Sequence, residues 1–149
     1  MKVTVVIPTF NNLVRLKRCL DACLAQDTQF EFSVLVVDNG STDGTWAALD
    51  SYPVEKIYVA GVQSPYFARN EGIKHCVSDV IVLLDANCEP ANSYWLEHGL
   101  NTVLETEADV VSGVFQHSFD SCAPSVGELV DAMLFLDVDT HITYGGAVG

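Results

Sequence analysis

Five short apolar runs, rich in Val, Ile and Leu, are spaced along the chain and predict five β-strands. The first, second and fourth runs are nearly continuous, as expected of strands that are buried on both faces of a sheet. Polar residues, glycine or proline follow the runs and mark where the strands should end. The runs cover residues 2–8, 32–37, 54–60, 80–84 and 109–115.

Between these runs, apolar residues recur every three or four positions, which predicts amphipathic helices. Asn11 or Asn12 can cap the first helix, and Pro65 suits the first turn of the third. The predicted helices cover approximately residues 13–24, 43–50, 65–76, 93–105 and 125–136. The fourth is expected to bury Trp95, Leu96, Leu100, Val103 and Leu104.

Alternation of strands with helices predicts an α/β fold, with a mostly parallel sheet and helices on both faces. A length of 149 residues suits one domain, residues 1–149, with a single core. If the strand order is 3-2-1-4, the connections of strands one and four diverge, and a crevice opens at the carboxyl ends of those strands. The sequence therefore predicts a ligand site at that edge.

The net charge of −13 is distributed unevenly along the chain. All seven Lys and Arg lie within residues 1–74, whereas residues 75–149 hold twelve Asp and Glu and no basic residue. Such a field repels nucleic acid, so sequence-independent binding to nucleic acid is not expected. Two interpretations of the acidic half remain open: a surface typical of acidophiles or halophiles, or a basic partner segment that is missing.

The location of the protein is constrained by its apolar runs and its cysteines. No run approaches the roughly 18 apolar residues of a membrane span, and the first residues do not resemble a signal peptide. Five cysteines, without zinc-ribbon spacing, favour reduced thiols in the cytoplasm. Cys19 and Cys23 are interpreted as small core residues. The apolar stretch 129–136 fits a core helix or a segment that approaches the inner face of a membrane.

Polar residues follow three of the predicted strands, at Thr9, Asp38 and Asp85. An Asp at this edge can accept hydrogen bonds from a base N–H group or from ribose hydroxyls. Arg69, in the helix that leads into the fourth strand, is a candidate counter-charge for phosphate or a candidate donor to a base carbonyl. Each of these residues alone has a structural alternative, such as a turn, a helix cap or a surface ion pair. Neither of the standard glycine-rich phosphate loops is present.

Four segments together resemble the successive signature blocks of the family 2 glycosyltransferases, which have the GT-A fold. They occur in the order of that family and at compatible spacing. The segments are residues 5–11, 36–45, 68–73 and 83–87.

The resemblance implies transfer of a sugar, with inversion, from a nucleotide-diphosphate sugar, often UDP-linked, to a glycan or lipid-linked acceptor. It also implies a divalent cation, Mg²⁺ or Mn²⁺, held by Asp85 and Asn87. The nucleotide would be bound by Pro8, Thr9, Phe10, Asn11, Asp38, Gly40, Arg69, Asp85 and Ala86.

The chain departs from the family pattern in two respects. Asn87 stands where the family has a metal-binding Asp, and Glu89 is a candidate to replace it. The general base of the family has no counterpart in the sequence, so we expect the acceptor side to be truncated and the base to lie beyond Gly149. The alternatives are a nucleotide-binding module of the same fold without transfer activity, or an unrelated flavodoxin-like domain. Nucleotide binding, with and without metal, distinguishes them.

Overall fold

The computed structural model describes residues 1–114 and 143–144. Strands and helices alternate through most of this part of the chain, close to the predicted positions. The elements are β1 (Val3–Thr9), α1 (Leu13–Leu24), β2 (Phe32–Asp38), α2 (Thr45–Ala48, followed by a 3₁₀ turn at Leu49–Ser51), β3 (Glu55–Tyr58), α3 (Pro65–His75), β4 (Val80–Leu83), α4 (Trp95–Thr106), β5 (Gly113–Val114) and β6 (Thr143–Tyr144).

Four strands form a parallel sheet in the order β3-β2-β1-β4, which confirms the predicted α/β architecture. Val5 of the central strand pairs with Val34 on one side and with Val82 on the other. Every residue of β1 is buried, because neighbouring strands cover both edges and helices cover both faces. This explains why the first apolar run shows no polar alternation.

One face of the sheet packs against α1 and α4. Val5 and Ile7 of β1 point to this face, where they belong to the same cluster as Leu16, Leu20 and Leu100. Cys19 and Cys23 are fully buried in this cluster, as predicted. Burial raises the pKa of the Cys19 thiol, and burial also raises the pKa of Cys23 to about 11. Both thiols are therefore protonated packing residues.

The opposite face packs against α3, a helix whose sequence is not strongly amphipathic. Two small residues, Ala68 and Gly72, are its buried positions. A Cβ atom on Gly72 would lie 2.6 Å from Cγ1 of Val6 and 2.8 Å from Cγ2 of Val37. The backbone of α3 thus approaches the sheet more closely than any side chain at this position permits.

The start of α4 is fixed by side chains that lie about 70 residues earlier in the chain. The backbone N–H of Leu96 donates to Oε1 of Gln26 at 2.9 Å, while Nε2 of Gln26 donates to the carbonyl of Asn92 at 2.8 Å. Glu97 accepts hydrogen bonds from the backbone and the side chain of Gln29. The helix begins at Trp95, two residues later than predicted.

Two predictions for the end of the described chain were wrong in detail. Leu104 is 53% exposed, so it is not an inward residue of α4. Of the run 109–115, the described residues 109–114 contain the two-residue strand β5, which pairs antiparallel with β6 in a separate sheet. Because β6 lies 29 residues later, local apolar content could not reveal this pairing. The helix predicted over 125–136 lies outside the described residues. Among the described helices, none is long and apolar enough to cross a bilayer.

Replacing Gly72 by Ala should destabilise the protein by about 1–3 kcal/mol, the usual cost of overpacking, despite the roughly 1 kcal/mol gain in helix propensity. The added methyl group would meet two β-branched side chains on buried strands, which have little freedom to rotate. The free energy of unfolding, measured by denaturant titration, checks this.

The matched control is Gly99→Ala in α4, where a Cβ atom meets nothing within 4 Å. This variant should be as stable as the wild type or more stable by about 1 kcal/mol. Equal stabilisation by both substitutions would show that α3 does not approach the sheet as closely as described.

Candidate functional site

The ends of three parallel strands meet at one edge of the sheet, as the sequence predicted. Thr9 and Asp38 are register partners at the ends of β1 and β2. The backbone N–H of Leu84 donates to the carbonyl of Val6 at 3.1 Å, which keeps the segment after β4 beside β1. Asp85 follows directly, so the polar residues that follow the three strands belong to the same carboxyl edge.

Asp38 is completely buried, although it carries a carboxylate. Its Oδ1 atom accepts a hydrogen bond of 2.9 Å from the backbone N–H of Ser41, but its Oδ2 atom has no partner among the described residues. A buried acceptor without a partner costs about 1–3 kcal/mol. A buried group without a partner in a native structure calls for an explanation, such as a catalytic role or a bound water or ion. Asp38 therefore has one oxygen bonded to the fold and one buried oxygen that no described residue satisfies.

Two further buried polar atoms near this residue lack a partner within the described part of the chain. They are Oγ1 of Thr9, a residue 4% exposed, and Oδ1 of Asn39, also 4% exposed. The amide group of Asn39 donates to the carbonyls of Val62 at 3.0 Å and Ser64 at 3.3 Å. Asn39 thus connects the end of β2 to the loop before α3.

This role of Asn39 was missed at the sequence level, where Asn39-Gly40 was interpreted as a turn. The turn is present as well, because Gly40 has a φ of +88°, a conformation that favours glycine. A Cβ atom on Gly40 would lie 3.7 Å from the Tyr58 hydroxyl oxygen. The sequence carried no indication of the Asn39 contacts, since both acceptors lie more than 20 residues away.

Asn11 joins the loop after β1 to the loop after β2. Its backbone N–H donates to Oγ of Ser41 at 2.9 Å, and its Oδ1 atom accepts from the backbone N–H of Thr42 at 2.7 Å. Its φ of +47° is tolerated by asparagine better than by most residues. The Asn11 side chain is therefore engaged in fixing the two loops.

Asp43 makes a second connection between the same loops. Its Oδ2 atom accepts from the backbone N–H of Leu13 at 3.0 Å, and its Oδ1 atom accepts from the backbone and hydroxyl of Thr45. Burial opposes ionisation, but these hydrogen bonds outweigh it and lower the pKa of the Asp43 carboxyl. The ionised side chain holds the first turns of α1 and α2 in place.

The remaining predicted nucleotide-binding residues differ in their exposure. Pro8 is buried and pairs with Val37 in the sheet. Phe10 is 42% exposed at the start of the loop after β1, and Ala86 is 5% exposed after β4. Pro8 and Ala86 can therefore contribute backbone to a site, whereas Phe10 also presents a ring.

The guanidinium group of Arg69 forms an ion pair with the carboxylate of Asp85. Nη2 of Arg69 donates to Oδ1 of Asp85, and both side chains are partly exposed, at 21% and 33%. The Tyr66 ring lies beneath the guanidinium, whose carbon is 5.5 Å from the ring centroid. Because Arg69 lies in α3, the close approach of that helix to the sheet brings this cation to the carboxyl edge.

Asp85 and Asn87 carry the side-chain oxygens in the segment after β4 that could bind a metal ion. The Asp85 carbonyl accepts a 3.6 Å contact from the Cys19 thiol, which anchors the segment on α1. Asn87 is exposed, and its amide oxygen contacts the Cys88 thiol at 3.7 Å. Burial, and then the nearby Asp85 carboxylate, raise the pKa of Cys88, so this residue offers a thiol and not a thiolate.

The Asp85 carboxylate and the Asn87 amide oxygen are ligands that suit a hard divalent cation. Mg²⁺ is commonly held by one or two protein oxygen ligands, with substrate phosphates and water completing its shell. Within the described ranges, no group of three or more His, Cys, Asp and Glu could hold a metal by itself. Glu89, the candidate replacement for Asn87, is instead paired with Arg18 at 2.8 Å. Asp85 and Asn87 could thus hold a cation together with a ligand that brings phosphate oxygens.

Residues 4–141 match the family model described as glycosyl transferase family 2. The chain belongs to this family. The match spans all four segments on which the sequence resemblance rests, and the parallel sheet in the order β3-β2-β1-β4 agrees with it.

Several curated proteins of this kind are similar in sequence. Glycosyltransferase AglE of Haloferax volcanii is 33% identical over 123 residues, which cover 78% of this chain and 40% of that protein. A dolichyl N-acetyl-α-D-glucosaminyl phosphate glycosyltransferase of Methanococcus voltae is 27% identical, over 75% of this chain and 37% of the relative. The chain spans less than half the length of these relatives.

Solved structures show the same fold. A structure of residues 1–349 of TarS from Staphylococcus aureus superposes with a TM-score of 0.71 at 23% identity, over 84% of this chain and 39% of that TarS chain. The mannosyltransferase PcManGT of Pyrobaculum calidifontis, solved with GDP-Man and Mn²⁺, superposes with a TM-score of 0.68 at 26% identity. That match covers 76% of this chain and 35% of the mannosyltransferase.

Replacing Asn39 by Asp should destabilise this family member by about 1–3 kcal/mol at neutral pH, the cost of leaving buried polar groups unpaired. The substitution replaces an amide donor by a carboxylate oxygen facing the carbonyls of Val62 and Ser64. Thermal and denaturant unfolding measure the effect. Asn87→Asp, the same substitution at an exposed position, is the control and should leave stability unchanged. An equal effect at both positions would argue against the Asn39 contacts.

Proposed function

We propose that residues 1–149 form a single domain that binds the nucleotide-sugar donor of a glycosyltransferase. The enzyme transfers the sugar, with inversion and with the help of a divalent cation, to an acceptor hydroxyl. The observation that most supports this proposal is the set of polar groups at the carboxyl edge of the sheet. The unpartnered Oδ2 of buried Asp38 lies at the end of β2, and the Arg69–Asp85 ion pair follows β4. Family membership supports the reaction class.

In this proposal Asp38 recognises the nucleotide base. Its free oxygen accepts a base N–H, while its other oxygen stays bonded to Ser41. Thr9 and the backbone of Pro8 and Phe10 line the same pocket, and Asn11 and Gly40 shape the loops around it. Because Asp38 is fully buried and held at one oxygen, it offers its acceptor with little loss of conformational freedom.

We propose uridine diphosphate as the nucleotide, with guanosine diphosphate as the second candidate. Both bases carry a ring N–H that a carboxylate can bind. The second candidate is supported by PcManGT, whose structure contains GDP-Man and Mn²⁺. Direct comparison of the two nucleotides decides between them.

The diphosphate is bound in this proposal by Arg69 and by a cation held at Asp85 and Asn87. Arginine forms two parallel hydrogen bonds to phosphate, which gives both charge and orientation. A bound Mg²⁺ or Mn²⁺ would neutralise the charge of the departing nucleoside diphosphate. The neutral amide of Asn87 contributes an oxygen without charge, so we expect a weaker cation site than two carboxylates would form.

The acceptor in this proposal is a glycan or a lipid-linked sugar. The Methanococcus voltae relative, which is named for a dolichyl phosphate-linked sugar, supports this class. Cytoplasmic chemistry, at the inner face of a membrane, is part of the same proposal, and the free thiols of Cys19, Cys23, Cys76 and Cys88 support it. The general base was expected beyond Gly149, and that expectation stays a prediction.

The second candidate function is nucleotide binding without transfer. It is favoured by Asn87, which supplies a neutral amide where the family has a metal-binding carboxylate. In this case a nucleotide would bind with little dependence on metal. The donor-binding proposal predicts instead that metal strengthens nucleotide binding. One titration of the nucleotide, with and without metal, therefore distinguishes the two candidate functions.

Calorimetric titration should show that UDP binds, and that Mn²⁺ strengthens its binding. Asp38→Asn should weaken that binding about tenfold or more, since a hydrogen bond to a charged group contributes about 1.5–3 kcal/mol. This substitution keeps an acceptor for Ser41 but replaces the unpartnered oxygen by a donor. GDP, titrated in parallel, tests the second candidate nucleotide.

Asp50→Asn is the charge-matched control, because Asp50 is an exposed partner of Lys56 away from the strand ends. It should leave nucleotide affinity unchanged. Failure of the wild type to bind either nucleotide would reject the proposed function. Binding that is unaffected by Asp38→Asn would reject the base pocket alone.

Asn87→Asp should strengthen the Mn²⁺ dependence of nucleotide binding, because a second carboxylate adds charge to the proposed cation site. The measurement is the ratio of nucleotide affinities with and without Mn²⁺, compared with the same ratio in the wild type. An unchanged ratio would place Asn87 outside the cation shell.

A further inference from the structure

Asp85, which is proposed to hold the divalent metal ion, already forms an ion pair with Arg69. Arg69 donates to Oδ1 of Asp85, and the pair is partly shielded from water, with side-chain exposures of 21% and 33%. Shielding strengthens such a pair relative to one on an open surface. A metal ion that binds this carboxylate would lie beside the guanidinium charge of Arg69 and be repelled by it.

Neighbouring acids offer the metal no simple substitute for Asp85. Glu89, on the same segment, pairs with Arg18 at 2.8 Å, and Asn87 brings no charge. The described part of the chain contains no cluster of three metal-binding side chains. The positive charge of Arg69 beside Asp85 therefore lowers the affinity expected of this site for a cation in the free protein.

A bound nucleotide would offer Arg69 an alternative partner to Asp85. The helix of Arg69 is fixed against the sheet at Gly72, but its side chain is long, partly exposed and supported by the Tyr66 ring. A diphosphate offers phosphate oxygens that a guanidinium binds in the bidentate geometry it favours. Exchange of Asp85 for phosphate thus keeps the Arg69 charge paired and frees the carboxylate.

We propose that Arg69 is a positioning residue that couples the two binding events: it occupies Asp85 in the free protein and releases it to the cation when a diphosphate arrives. This inference rests on the proposed function. By linkage, the nucleotide must raise the affinity for the metal by the same factor as the metal raises the affinity for the nucleotide. The chain then avoids binding a divalent cation unproductively before the donor.

The deciding experiment is a titration of the full chain with Mn²⁺ alone, followed by electron paramagnetic resonance of the free ion. Arg69→Gln removes the competing charge and should raise the affinity for Mn²⁺ by about fivefold or more, the lower end of typical coupling between sites. The factor by which Mn²⁺ strengthens UDP binding should fall by at least the same amount. Arg69→Lys keeps a cation at this position and should preserve the low affinity for Mn²⁺ alone.

Lys74→Gln is the matched control, because it removes one positive charge from the same helix. Lys74 pairs with Glu71 and is 71% exposed, so this variant should not change Mn²⁺ affinity. An equal gain in both variants would assign the effect to net charge and overturn the proposal. The absence of any gain in Arg69→Gln over the wild type, including no detectable binding in either, would also overturn it.

Arg69→Met, which keeps the apolar stem, provides a second neutral variant if Arg69→Gln unfolds. A purely structural role for Arg69 predicts lower thermal stability with no gain in Mn²⁺ affinity. Because the Mn²⁺ titration contains no nucleotide, its outcome is separate from that of the proposed function. Nucleotide binding without a gain in Mn²⁺ affinity rejects the coupling alone, whereas failure to bind nucleotide rejects the function.

Discussion

The hydrogen-bonded pairing of β1 with a parallel strand on each side is the interaction on which the rest of this structure depends. It buries all seven residues of β1 and sets the register that places Thr9 beside Asp38. Parallel strands share a direction, so their polar ends come to one edge, and the helices that connect them must cover both faces. The site therefore follows from the sheet.

The second constraint is the close approach of α3 to the sheet. At Gly72 the distances to Val6 and Val37 leave no room for a side chain. That contact is a matter of packing, yet its consequence is electrostatic, because the same helix carries Arg69 to Asp85. Packing on one face of the sheet thus determines which charges meet at its edge.

The third feature is the contrast between polar side chains that join the loops and buried polar atoms that no described residue satisfies. Asn11, Asp43 and Asn39 use their polar groups to join neighbouring loops. Oδ2 of Asp38 and Oγ1 of Thr9, by contrast, are buried without a partner among the described residues. Rigid loops allow the protein to tolerate those unsatisfied acceptors, since the loops cannot collapse to satisfy them. Such strain is typical of a site whose missing partners come from a ligand.

The sequence by itself determined the positions of four strands and four helices and the residues at the carboxyl edge, whereas the strand order was an assumption that the sheet confirmed. Apolar runs and helical periodicity are local properties of the sequence. They predict the elements well because burial of these apolar side chains stabilises the fold directly. Only the tertiary structure decided that Arg69 pairs with Asp85, that Asn39 anchors a distant loop and that Gln26 caps α4. These contacts join residues 16 to 70 positions apart, so they depend on which loops the sheet brings together and leave no trace in local pattern.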